Sequence, residues 1–158
     1  MVLVFAMMVP AMAANATETD IVITNGATGS VYSAWRVLDA KANTNSDGTY
    51  DGTYKYSVND KYLDDLKEVT GKTISSEIIT YISKLTGAKT QTFADDLFEE
   101  LRDKAPDATS TNSEFENMSQ GYYLIAETTK ANNLDTVSKE CWIQKVKKKL
   151  KWKQKKAL

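Results

Sequence analysis

The acidic pairs Asp64-Asp65, Asp95-Asp96 and Glu99-Glu100 are the first residues whose type and spacing suggest chemistry. Two carboxylates flanking a glycosidic bond can act as acid and base. Each pair falls on the polar face of a predicted helix, where solvated charge is the default, and no compact pattern joins them. Asp47 and Asp51, in the polar run 43–53, offer oxygen ligands for calcium. That run lacks the spacing and terminal glutamate of an EF-hand, so a solvated hairpin loop is expected. The chain has no histidine, which removes Ser-His and Cys-His catalysis and any His-based zinc site. Its one cysteine, Cys141, excludes an internal disulfide and a cysteine-cluster metal site. No cofactor and no metal are expected, and conventional active-site chemistry has little to work with.

The elements that would carry these residues begin after Met1–Ala13, a short apolar segment. It ends in Ala11-Met12-Ala13, a small-x-small pattern that signal peptidase accepts. Too short to span a bilayer and without preceding basic residues, it reads as a signal-peptide remnant of an exported chain. Thr19–Thr24 is a short β run closed by the turn pair Asn25-Gly26. Val31–Leu38 reads as a second strand, and Tyr54–Val58 alternates as a third. The period then changes to about 3.6. Asn59-Asp60 can cap a helix bearing Tyr62, Leu63, Leu66 and Val69, ended by Gly71. Thr73 opens a second helix with Ile74, Ile78, Ile82 and Leu85, closed by Gly87. Thr92 with Asp95 resembles a capping pair for a third bearing Phe93, Leu97 and Leu101, ended by Pro106. Ala105–Glu116 reads as a polar connection. It leads to Gly121–Thr128, the most strand-like run in the chain. Tyr122, Leu124 and Ala126 share one face of that run and Tyr123 and Ile125 the other, so it belongs in the middle of a packed sheet. The expectation is a mainly β, α+β domain over 18–138 with a helical insertion at about 60–104.

Three pieces together carry a resemblance: Ile-Val-Ile-Thr-Asn (21–25), Val-Tyr-Ser-Ala-Trp-Arg-Val-Leu-Asp (31–39) and Gly-Tyr-Tyr-Leu-Ile-Ala-Glu-Thr (121–128). In this order, behind a signal-like start, they resemble the N-terminal domain of sortase-assembled backbone pilins. These are the isopeptide-forming fimbrial subunits of Gram-positive cell surfaces. The resemblance implies an immunoglobulin-like β-sandwich, incomplete here at its C-terminal end. It also implies a structural, non-enzymatic role in a covalent cell-wall fibre that supports adhesion, with other pilin subunits and sortase as partners and a host surface ligand as a further one. Nucleic acid is not an expected partner. Sortase joins the threonine of a Leu-Pro-x-Thr-Gly signal to a lysine of the next subunit, and this sequence contains no such signal. The family's internal amide bond joins a buried neutral lysine to an asparagine beside a protonated acid. Glu127 stands where that acid falls. The lysine position matches Arg36, which stays protonated and cannot act as the nucleophile. Lys41 and Lys55 are the substitutes. The asparagine's strand is not supplied, so no isopeptide bond is expected.

Residues 1–138 carry 11 Lys/Arg and 20 Asp/Glu, whereas 139–158 carry nine lysines and one acid, Glu140. A basic tail with Ile143, Val146 and Leu150 at helical spacing suggests an amphipathic segment for anionic membranes or other polyanions. That defines the rival reading, a small secreted protein with a membrane-binding tail. The genetic code offers another account. Joining the last base of each codon to the first two of the next turns Cys141-Trp142 into Leu and Trp142-Ile143 into Asp. Trp152-Lys153 becomes Glu, and the lysine codons become Glu or Lys. The result permits an acidic, alternating strand. The tail is therefore expected to be out of frame, which leaves the strand 121–128 with an unpaired edge and an aggregation-prone fragment.

Overall fold

Two strands at the centre of the molecule are buried on both faces over most of the length they share, and the other elements cover them there. The computed structural model describes residues 18–24, 26–129 and 141–146; the signal-like segment, Asn25 and most of the basic tail lie outside them. The central strands are β2 (Val31–Thr44) and β6 (Gly121–Thr129), paired antiparallel with Trp35 opposite Leu124. All six residues from Gly121 to Ala126 are buried. Tyr122, Leu124 and Ala126 face one apolar cluster, and Tyr123 and Ile125 face another. The central placement read from the sequence is borne out, because a strand apolar on both faces finds cover only in the middle of a sheet.

In the larger sheet β3 (Tyr50–Val58) lies beside β2, and β7 (Cys141–Val146) lies beside β6, giving the order β3-β2-β6-β7. A short strand, β4 (Ala108–Ser110), pairs with the start of β2. A second sheet of two strands, β1 (Glu18–Val22) and β5 (Glu114–Ser119), packs Ile21, Phe115 and Met118 against Tyr32, Ala34, Tyr123 and Ile125. The opposite face is covered by helices. Asn59 accepts from Lys61 N–H and opens a 3-10 turn, Asp60–Tyr62, that runs into α1 (Leu63–Thr70). Gly71 ends α1 in the left-handed conformation. Then follow α2 (Ser75–Ser83) and α3 (Ala88–Leu101). Tyr62, Leu66, Ile78, Ile82, Phe93, Leu97 and Leu101 close over Trp35, Val37 and Leu124. The chain is an α+β domain with antiparallel sheets. Among its described residues no helix is long and apolar enough to cross a membrane.

Several boundaries differ from the sequence reading. β2 continues to Thr44 and β3 starts at Tyr50, so the expected loop 43–53 is mostly a hairpin arm, turned by Asn45 N–H to Thr49 O at 2.7 Å. The polar connection 105–116 contains β4 and the start of β5. Phe115 and Met118 are both buried although three apart, because β5 bulges at Asn117 (φ 54°) and breaks the period of two. α3 starts a turn before Thr92, whose hydroxyl bonds Ala88 O at 3.1 Å from inside the helix. Ile74 does not join the α2 stripe. It precedes the helix and is 56% exposed. The edge of β6 is also not open. Cys141–Val146 forms a strand antiparallel to it rather than part of a helix, since free N–H and C=O groups at a sheet edge recruit an adjacent extended segment.

Candidate functional site

Glu127 lies near the end of β6, opposite Tyr32, on the face turned toward the β1–β5 sheet. It is half-buried and accepts a hydrogen bond from the Ser30 hydroxyl, Ser30 itself being 1% exposed. Beside it Ser33 Oγ and Thr128 Oγ1 share a hydrogen bond of 2.9 Å. These contacts tie the start of β2 to the end of β6 through side chains 97 and 95 residues apart.

The other sequence-derived residues do not converge on Glu127. Arg36 is opposite Tyr123, and its guanidinium reaches Asp39 at 3.0 Å. Tyr32 and Arg36 are four positions apart on β2, so the Arg36 backbone stands about 13 Å from that of Glu127's partner. Lys41 and Lys55 face each other across the β2–β3 hairpin at exposed positions beyond Asp39. Both therefore lack the apolar enclosure that an acylation nucleophile needs. Among the described residues Glu127 makes no ion pair with a lysine. Its arrangement can fasten two strands but holds no amine and amide to join.

A larger polar constellation lies elsewhere, where the helical segment leaves and re-enters the sheet. On one side β2 pairs with β4 through Tyr32–Ala34 and with β3 from Leu38 onward, which leaves Trp35–Val37 unpaired there. Two side chains and their backbones fill this gap. Asn59 donates from its backbone to Val37 O at 3.1 Å and from Nδ2 to Arg36 O at 2.9 Å. Asp107 donates its N–H to Ala34 O at 2.8 Å and accepts Arg36 N–H on Oδ2 at 2.7 Å. The same Oδ2 accepts the Tyr62 hydroxyl at 2.7 Å, and Oδ1 meets Lys61 Nζ at 2.8 Å. Burial alone would raise the Asp107 pKa, but Lys61, the Arg36 N–H and the Tyr62 hydroxyl outweigh it and hold it below the usual carboxylate value. The Tyr62 phenol is pushed up to about 12, first by burial. This grouping is an ionised acid satisfied by three donors, with no nucleophile poised to react.

Sequence reading found Asn59 as a cap and missed Asp107, whose only local signal is its place after Pro106. The acidic pairs split up in three dimensions. Asp64 is exposed beside Lys67, whereas Asp65 is buried and receives Lys104 Nζ on both oxygens, at 2.6 and 2.8 Å. The solvated-charge default therefore fails at Asp65, because its side of α1 packs toward the segment after α3. Asp95 accepts from Gln91 at 2.9 Å, and Glu99 pairs with Arg102 at 3.0 Å. Asp47 and Asp51 each bind the threonine two residues on, through its N–H and its hydroxyl. No group of three metal-ligating side chains occurs among the described residues. The side chains of the basic tail lie outside them.

No family model matches the chain, and no curated protein matches it.

Proposed function

We propose that the chain is the N-terminal domain of a sortase-assembled backbone pilin, an exported structural module of a covalent cell-wall fibre that supports adhesion and performs no turnover. One observation carries the reading. The three segments on which the resemblance rests, far apart in sequence, meet in a single cluster: Ile21 from the first, Tyr32 and Ala34 from the second, Tyr123 and Ile125 from the third. A shared core is what makes such separated residues a unit. The facing of the β1–β5 pair against β2 and β6 supports the finer reading of an immunoglobulin-like sandwich, with the three helices as an insertion on its other face.

Residues 139–158 are proposed to be read out of frame, with the acidic alternating strand of the other frame taking the place beside β6. Resequencing the locus tests this: an unbroken frame without pilin-like codons downstream refutes it. For function, antibodies against the domain should reveal a high-mass ladder in immunoblots of cell-wall extracts from producing cells. A single monomer band would overturn the fibre assignment.

A further inference from the structure

The hairpin arm carries a tandem repeat, Asp47-Gly48-Thr49-Tyr50 followed by Asp51-Gly52-Thr53-Tyr54. In both units the aspartate Oδ1 accepts the threonine N–H, at 2.9 and 2.7 Å, and its hydroxyl, at 2.6 Å each. The first unit forms the turn. The second falls inside β3 and makes a bulge: Ala42 is opposite Tyr54 and Thr44 opposite Tyr50, so β3 spends four residues where β2 spends two. Gly52, at φ 91°, supplies the backbone conformation that a side chain would strain.

The bulge determines where the two tyrosines stand. Residues four apart in an unbroken strand are about 13 Å apart. Here the Tyr50 and Tyr54 rings lie 5.4 Å apart between centroids, tilted by 55°. Both side chains are half-buried, with the Tyr50 hydroxyl oxygen turned inward and only part of its ring facing solvent, whereas Tyr32, Tyr62, Tyr122 and Tyr123 are buried in the core.

We propose that Tyr50 and Tyr54 form an oxidative cross-linking site, joined ring to ring as dityrosine by a one-electron oxidant of the peroxide-dependent haem peroxidase class. Each phenol gives one electron and one proton to the oxidant. The two phenoxyl radicals couple through a carbon ortho to each oxygen, forming one C–C bond. Each coupled carbon then passes its hydrogen to the phenol oxygen and restores the ring. Two hydrogens leave the chain, and one peroxide is reduced to two waters. The Tyr50 phenol is pushed up to about 12 by burial and then by Tyr54, so at neutral pH its proton leaves together with the electron. The product staples the two ends of the bulge within β3 and locks the bulged course of that strand. This site does not depend on the pilin assignment.

The test treats the full chain with hydrogen peroxide and a haem peroxidase, followed by trypsin and mass spectrometry. Cleavage after Lys41 and Lys55 leaves both tyrosines in the peptide Ala42–Lys55, with Tyr56 on the next one. The expected result is loss of two hydrogens within Ala42–Lys55, with dityrosine fluorescence. Tyr50→Phe should abolish that product. Gly52→Val, which strains the bulge, should lower its yield at least about fivefold while circular dichroism stays unchanged. Cross-links mainly between chains or at Tyr56, or an undiminished yield in Gly52→Val, would overturn the proposal.

Discussion

Replacing Asp107 with alanine tests the account of how the helical segment is fastened to the sheet. The substitution removes the acceptor for Arg36 N–H and for the hydroxyl of Tyr62, a residue with no exposed surface. It also removes the carboxylate partner of Lys61, whose side chain is 45% exposed and keeps its bond to Ala105 O. The exposed ion pair is worth about 0–1 kcal/mol. A buried donor left without an acceptor costs about 1–3 kcal/mol, and Arg36 N–H is shielded less fully than the phenol because the Asp107 side chain is 30% exposed. The sum is about 3 kcal/mol, a large share of the roughly 5–15 kcal/mol that holds a domain of this kind together. Urea unfolding of the full chain, followed by circular dichroism, reads the loss as a lower midpoint at unchanged slope. Asp107→Asn, which keeps one acceptor oxygen, should lose about half as much. In a cycle with Tyr62→Phe the second substitution should add little once Asp107 is gone. A loss below about 0.5 kcal/mol in Asp107→Ala would refute the reasoning. The effect also has a pH signature. A carboxylate held below its ordinary value of 3.8 contributes stability that is fully present above that pH and is lost as pH falls through its lower folded value. Asp107→Asn should therefore flatten the stability profile on the acid side of pH 3.8 and leave its shape near neutrality unchanged.

Other consequences are open to measurement. Leu124→Ala and Ile125→Ala, on opposite faces of β6 and 0% and 1% exposed, should each cost about 2–5 kcal/mol in urea unfolding. A one-sided strand would give one large and one small value. Gly121→Ala should lose about 1–3 kcal/mol, because a Cβ there would stand 2.6 Å from Leu38 O and 2.8 Å from Arg36 Cγ; an unchanged midpoint would show that β2 and β6 can separate at that end. Tyr62 and Tyr122 are raised to about 12, first by burial, so the folded state disfavours their ionisation. Their contribution is complete below the ordinary phenol value of 10.0 and is lost as pH rises toward 12. The phenolate absorbance of these two tyrosines should then appear together with unfolding; their full ionisation near pH 10 in a folded chain would contradict the burial.

Local residue types located the central strand, aromatic and branched side chains between Gly121 and the polar pair Glu127-Thr128, and their apolar character at every position from 122 to 126 stated that both its faces are covered. The three helices were legible from apolar spacing, down to Asn59 at the first start and Gly71 at the first end. These are local features: a strand repeats every two residues, a helix every 3.6, and caps act within one turn. The limits of α3 escaped because Thr92 and Asp95 look like a cap while Ala88–Gln91 form a helix equally well after Gly87.

The strands β4 and β5 and the role of Asp107 were decided by tertiary structure. β4 has three residues and β5 is bulged at Asn117, so neither shows a period. Asp107 matters only because β2 runs past the end of β4 before it meets β3, leaving the Arg36 N–H without a strand partner. Nothing near Asp107 in the chain encodes that vacancy. The same holds for Glu127, whose place at a strand end is written in the sequence, while its distance from Arg36 is set by the register of β2 against β6. Local hydrogen bonds and apolar spacing are encoded residue by residue; register, bulges and the gaps between neighbouring strands are fixed only when distant segments pack together.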